Sequence, residues 1–158
     1  MSRTRCGRAA AVLGMAVMAA TGAYAQMPQG YAVLYQWLET SGCAPMGMPQ
    51  AAYFTDPSQV PEAEAMWELR APVQPGPAPY GPNDEGLGIK ILPPRTMATA
   101  LHKGPYDSVG ATYGALAGWL AEQGFEIAGP LEETYLTDPA DLPPEEYLTE
   151  IAFPVKAH

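Results

Sequence analysis

The chain has 158 residues, a net charge of −9 and 47% apolar side chains. That is enough for one domain or two small packed halves with a real core, and a charged fraction of only 16% excludes disorder by composition. The acidic balance excludes a nucleic-acid surface built on clustered Lys and Arg, and Cys6 and Cys43, with no CxxC and no Cys/His cluster, exclude the usual zinc spacings and a disulfide framework.

Taken in order, the N-terminus supports two readings. Arg3, Arg5 and Arg8 precede an apolar run from Ala9 to Ala20, followed by Ala23-Tyr24-Ala25. This is the outline of a secretory signal peptide with an A-x-A site. It also reads as a leading strand at about Gly14–Thr21. No apolar run reaches the roughly 20 residues of a membrane span. Met27, Tyr31, Leu34, Tyr35 and Leu38 then form one helical stripe, with Trp37 at its flank. After a strand ending at Val73, Gln74–Pro82 carries four prolines and two glycines and reads as a linker, within 74–88. Ile89–Leu92 and Thr96–Lys103 read as extended. Asp107 or Ser108 is placed to cap a helix reaching about Gln123, with Gly124 to end it. Its stripe is Val109, Tyr113, Leu116, Ala117 and Leu120, flanked by Trp119. Ile127–Thr137 reads as one strand, Asp138-Pro139 as a turn, and Glu146–Val155 as the last strand.

Shifted by 82 positions, residues 31–73 lie over 113–155 without a gap, and 15 of the 43 pairs are identical. About three are expected by chance, so the chain contains a duplication. Glu68 and Glu150 are one identical pair, Tyr53 and Tyr135 another. The shift continues upstream, setting Gly22-Ala23-Tyr24 over Gly104-Pro105-Tyr106 and Met15-Ala16 over Met97-Ala98. The supposed leader therefore has a counterpart in the second repeat. This favours the strand reading and a cytoplasmic protein, the alternative being a periplasmic or secreted one cleaved after Ala25.

Alternation in the last strand of each repeat places Tyr147, Thr149, Ile151, Phe153 and Val155 under the helix, and Leu148, Glu150 and Ala152 on the opposite face. In the first repeat Met66, Glu68 and Arg70 occupy that opposite face. The expected fold is α+β: tandem strand–helix–strand–strand repeats, an antiparallel sheet with two helices on one side, and a ligand cleft between the repeats. The expected domain spans 14–155, as repeat 1 (14–73), linker (74–88) and repeat 2 (89–155), with 1–13 an extension or part of a signal peptide.

The pattern His102-Lys103-Gly104-Pro105-Tyr106-Asp107, Leu116…Trp119-Leu120, Gly129-Pro130, Tyr135-Leu136-Thr137-Asp138-Pro139 and Thr149-Glu150-Ile151…Pro154-Val155 resembles the GyrI-like small-molecule-binding domain. That domain is also the effector-binding half of some MerR- and AraC-type transcription regulators. The resemblance implies a cleft glutamate, Glu150 by motif, that contacts cationic and often aromatic ligands. It also implies aromatic walls, for which Tyr135, Tyr53, Tyr106 and Tyr24 are the candidates. Glu68 stands at the matching position of repeat 1, so a two-carboxylate cleft is one reading. The other reading is that Glu150 pairs internally with Arg70, Arg95 or Lys90 or points to solvent, and Arg70, two residues beyond Glu68, is placed to neutralise Glu68.

The function expected is stand-alone binding of small cationic or aromatic molecules, in multidrug sensing or sequestration, with no cofactor, metal, membrane or direct nucleic-acid partner. The resemblance also allows hydrolysis of cyclopropane-containing natural products, with Glu150 catalytic, or a protein partner such as DNA gyrase. His102, with no Ser/Asp or Cys partner pattern, reads as a strand-surface residue beside Lys103.

Overall fold

A computed structural model describes residues 5–8, 13–56, 58–74 and 81–157. Arg5–Arg8 forms β1, Leu13–Thr21 β2, Met27–Ser41 helix α1, Gln50–Tyr53 β3, Met66–Val73 β4 and Leu87–Leu92 β5. Thr96–Lys103 forms β6, Gly110–Glu122 helix α2, Phe125–Ile127 β7, Leu131–Tyr135 β8 and Leu148–Ala157 β9. The fold is α+β, and the chain divides into two units, Ala11–Pro93 and Pro94–His158 together with Met1–Ala10.

In the first unit the strands run β3-β4-β2-β5, all pairs antiparallel. Strand β2, the leading strand expected at Gly14–Thr21, is hydrogen-bonded on both edges, to β4 and to β5. Met15, Ala16 and Val17 on it are buried. Helix α1 lies on β4 and β2. Leu34 and Leu38 of its stripe are fully covered against a face that buries Ala65, Trp67, Leu69, Ala71 and Val73. The first strand after the linker, β5, pairs with β2, so this unit extends past the 14–73 repeat.

The second unit runs β1-β6-β9-β8, again antiparallel, with β7 on the far end of β9. Its core joins Ala98, Ala100, Leu116, Leu120, Ile151 and Val155. Val109, Tyr113, Trp119, Phe125 and Phe153 pack around it. Trp119 stacks on Phe125 with ring centroids 6.2 Å apart. The face under the helix is therefore the one the alternation assigns.

Two details differ from the sequence reading. The single strand expected over Ile127–Thr137 is broken into β7 and β8. Pro130 has no amide to donate to a ladder, and the Ala128 amide turns aside to the Pro154 carbonyl at 2.7 Å. Helix α2 begins at Gly110 without a side-chain cap, after a 3₁₀ turn at Tyr106–Ser108. The hydroxyl of Ser108 is directed at the Pro105 carbonyl instead. Gly124, at φ +76°, ends α2 as expected, and Gly42, at φ +71°, ends α1 in the same way.

Two of the identical pairs of the repeat are turn chemistry. Thr55 and Thr137 hydroxyls each accept the amide of the residue that leads into the last strand, Met66 and Leu148, at 3.0 Å. Asp56 and Asp138 each accept the amide two residues on at 2.8 Å.

Gly86, at φ +81°, lies so close to β2 that an added Cβ would stand 2.2 Å from the Ala19 carbonyl oxygen. Gly86→Ala should therefore destabilise the protein by at least about 2 kcal/mol in urea melts. Gly118→Ala, on an open helix surface, should stabilise it by about 0.5–1 kcal/mol. The opposite order of the two would contradict this topology.

Candidate ligand site

Ile151 of β9 is fully buried under α2, and its partner across the ladder is Glu133 of β8. Residues directly opposite in an antiparallel pair share a face. Glu133 therefore stands on the helix-covered face, 7% exposed. Two residues on, Tyr135 shares that face and donates its hydroxyl to Glu133 Oε2 at 2.7 Å. Tyr106, on the 3₁₀ turn before α2, meets the Tyr135 ring edge-on with centroids 5.5 Å apart. It also stacks on Tyr147 at 4.8 Å and 26°. One carboxylate and three phenol rings are thus gathered at the end of the sheet where α2 begins.

Thr149 lies in the same row, flanked in register by His102 on β6 and Tyr135 on β8. Its hydroxyl is buried with no hydrogen-bond partner among the described residues. The same is true of the Tyr113 hydroxyl. Their equivalents in repeat 1 are satisfied: Tyr31 donates to the Gln50 carbonyl at 2.5 Å and Trp67 to the Gly22 carbonyl at 2.9 Å.

The sequence-predicted residues divide into three groups. Tyr106 and Tyr135 come together in the cluster just described. Tyr24 and Tyr53 form the equivalent pair in the first unit, 5.6 Å apart and edge-on. There Ala51 and Ala65 occupy the positions of Glu133 and Tyr147. The two glutamates take neither set of tyrosines. Glu68 is buried on the face away from α1, and its Oε1 accepts from Arg70 Nε at 2.6 Å and Lys90 Nζ at 2.7 Å. Glu150 is half-buried on the face away from α2, between Leu101 of β6 and Thr134 of β8. Its carboxylate has no hydrogen bond or ion pair among the described residues. On the same face, Glu132 of β8 meets Arg95 Nη1 at 2.7 Å.

Sequence reasoning missed Glu133 and Tyr147. Both are places where the repeats differ, so the identity between the repeats gives no signal for them. The expectation for His102 is also corrected. It is 7% exposed, not a surface residue. Its Nδ1 lies 2.9 Å from Thr112 Oγ1, and its Nε2 lies 3.1 Å from the Pro105 carbonyl and 3.2 Å from Ser108 Oγ. Among the described residues no three His, Cys, Asp or Glu side chains are grouped to hold a metal ion.

A family model for the GyrI-like small-molecule-binding domain matches residues 64–156. The chain belongs to this family. No curated protein matches it. Among solved structures, the C-terminal domain of EcmrR superposes with a TM-score of 0.84 at 19% identity, over 100% of this chain and 99% of that one. In the EcmrR–DNA complex the match covers 99% of this chain but only 58% of the regulator's chain, with a TM-score of 0.83 and 19% identity. SAV2435 bound to tetraphenylphosphonium matches with a TM-score of 0.57 at 16% identity, over 98% of this chain and 94% of that one. At these identities the likenesses establish the shared GyrI-like fold.

Burial first, and then the charges of Tyr147, Asp138 and Glu133, raise the Tyr106 phenol above its ordinary value of 10.0. The folded chain then holds this proton more tightly than the unfolded chain. That contribution to stability is complete below pH ~10 and is lost as pH climbs through the raised folded value. Phenolate absorbance, read as the difference between wild type and Tyr106→Phe, should show Tyr106 titrating late. Glu133→Gln should move it earlier. A Tyr106 that titrates at or below the ordinary value would contradict the cluster.

Proposed function

We propose that this GyrI-like protein binds lipophilic cations with flat or aromatic bodies, held by Glu133 and the rings of Tyr106, Tyr135 and Tyr147. The observation that carries this reading is the grouping of a 7%-exposed carboxylate with three tyrosines on one sheet face. A carboxylate removed from water loses hydration, and a cation laid against it supplies counter-charge while burying its own apolar surface. Each aromatic face adds about 0.5–2 kcal/mol of cation–π attraction. Broad, weakly shape-selective affinity follows, suited to sensing or sequestering varied compounds. The net charge of −9 draws cations to the protein at long range. The tetraphenylphosphonium complex of SAV2435 supports the ligand class.

The Tyr24–Tyr53 pair has no carboxylate at the place of Glu133, so one cation per chain is expected. Glu68, already held by two cations, serves the fold of its own unit. A role for Glu150 requires a ligand on the opposite face from the tyrosine cluster, and we rank it second. The ligand, rather than DNA, is the expected partner of this chain. No described helix is long and apolar enough to cross a membrane. A cytoplasmic location is proposed because cleavage after Ala25 would remove β2, which two strands pair with.

Isothermal titration with tetraphenylphosphonium should give one site per chain. Affinity should fall about tenfold or more in Glu133→Gln and stay within about twofold in Glu150→Gln; each tenfold is 1.4 kcal/mol. A larger loss in Glu150→Gln than in Glu133→Gln would move the site to the other face. Recovery of the ligand unchanged after incubation would separate binding from hydrolysis.

A further inference from the structure

The imidazole of His102 stands between two hydroxyls. Ser108 Oγ lies 3.2 Å from Nε2, and Thr112 Oγ1 lies 2.9 Å from Nδ1. The ring is 7% exposed, whereas Ser108 is exposed at the turn that leads into α2. A hydroxyl in reach of an imidazole nitrogen, with the other nitrogen held by a third group, is the arrangement by which a weak nucleophile is activated. We infer that Ser108 is an acyl-accepting nucleophile with His102 as its base and Thr112 as the positioning residue for the ring.

Two proton arrangements satisfy this cluster. In one, Ser108 donates its hydroxyl to the Pro105 carbonyl at 2.9 Å, and Nε2–H faces the same oxygen. In the other, Nδ1–H donates to Thr112 and the Ser108 hydroxyl donates to Nε2. The Pro105 carbonyl is not stranded by the second arrangement, because it also accepts the Ser108 amide at 3.2 Å. Exchange between the two gives up one hydrogen bond in the cluster but leaves both ring nitrogens and the Pro105 carbonyl with a partner, so the nucleophile-ready form is open to the folded protein.

The duplication argues against a merely structural clamp. Repeat 1 forms the same Gly-x-Tyr turn and the same 3₁₀ segment, Tyr24–Gln26, with Ala20, Gln26 and Gly30 in place of His102, Ser108 and Thr112. The turn therefore folds without the triad. Ser108 is itself exposed, so its hydroxyl can be approached from solvent.

The step balances with water as co-reactant. Ser108 Oγ attacks the ester carbonyl and its proton passes to Nε2. The carbon–oxygen bond to the leaving group then breaks, and the leaving oxygen either takes that proton or departs as a stable anion, in which case Nε2 gives the proton to solvent. Water, deprotonated by the same nitrogen, attacks the acyl-serine, and that proton returns to Ser108 Oγ as the acid is released. Thr112 is neutral and gives the developing imidazolium no charge support, so the substrate class is activated esters with good leaving groups, such as aryl esters.

The test uses the full chain with 4-nitrophenyl acetate, following nitrophenolate release and locating acetyl groups by peptide mass. The wild type should acquire one acetyl, on Ser108. Ser108→Ala, at an exposed position, should fold normally and lose that acetyl with at least about a tenfold slower release. His102→Asn should slow acetylation about 100-fold, within the range for a general base. Should that variant unfold, Thr112→Val keeps the imidazole and should still slow acetylation. Undiminished release in Ser108→Ala, with acetyl on a lysine or tyrosine instead, would overturn the proposal. So would a His102→Asn variant that is folded and acetylates Ser108 at the wild-type rate.

Discussion

Ile151 packs beneath Leu116 and Leu120 of α2, and this one contact decides which face of the second unit's sheet belongs to the helix. Because successive strand residues point to opposite faces, fixing Ile151 also fixes Thr149 and Tyr147 on one side and Glu150 on the other. Across the ladder it fixes Glu133 and Tyr135. Slipping the register by one residue would bring Glu150 under the helix and expel the tyrosines, at the cost of burying a carboxylate in the core and exposing Ile151. The position of the binding chemistry is therefore set by burial of an aliphatic side chain that meets no ligand.

The duplication supplies two copies of one scaffold, and the second copy has diverged toward chemistry. Its turns, helix stops and last-strand glutamate are shared with repeat 1. Among the pairs that differ, five lie at the end of the sheet where the helix begins. Glu133 and Tyr147 replace two alanines there, and His102, Ser108 and Thr112 replace Ala20, Gln26 and Gly30. Both buried hydroxyls left without partners, Tyr113 and Thr149, are in this copy too. In the first copy the matching groups are satisfied, and Glu68 is held within the first unit by Arg70 and Lys90. Under the proposed function, one repeat serves mainly as structure while the other presents the groups proposed to meet the ligand.

Much of the fold was legible in the sequence. The helical stripes, the terminating glycines and the alternation of the last strand all follow from local periodicity, and the structure agrees with them. Partnering of strands was less legible: that β5 would join β2 depends on contacts beyond the repeat boundary. The candidate site was half legible. Tyr106 and Tyr135 stood out because the repeat preserves them beside turn residues. Glu133 did not, since Glu132 and Glu133 are adjacent acidic residues and only the register of β8 shows that one meets Arg95 while the other meets Tyr135. The surroundings of His102 were illegible because Ser108 and Thr112 reach it through a turn and the first turn of α2.

A ligand held on the helix-covered face can be told from one on the opposite face by backbone chemical-shift mapping with tetraphenylphosphonium. Saturable shifts are expected at Tyr106, Glu133, Tyr135 and Tyr147, with little change at Leu101, Thr134 and Glu150. Shifts concentrated at Leu101, Thr134 and Glu150, leaving the tyrosine cluster unmoved, would contradict a ligand on the helix-covered face.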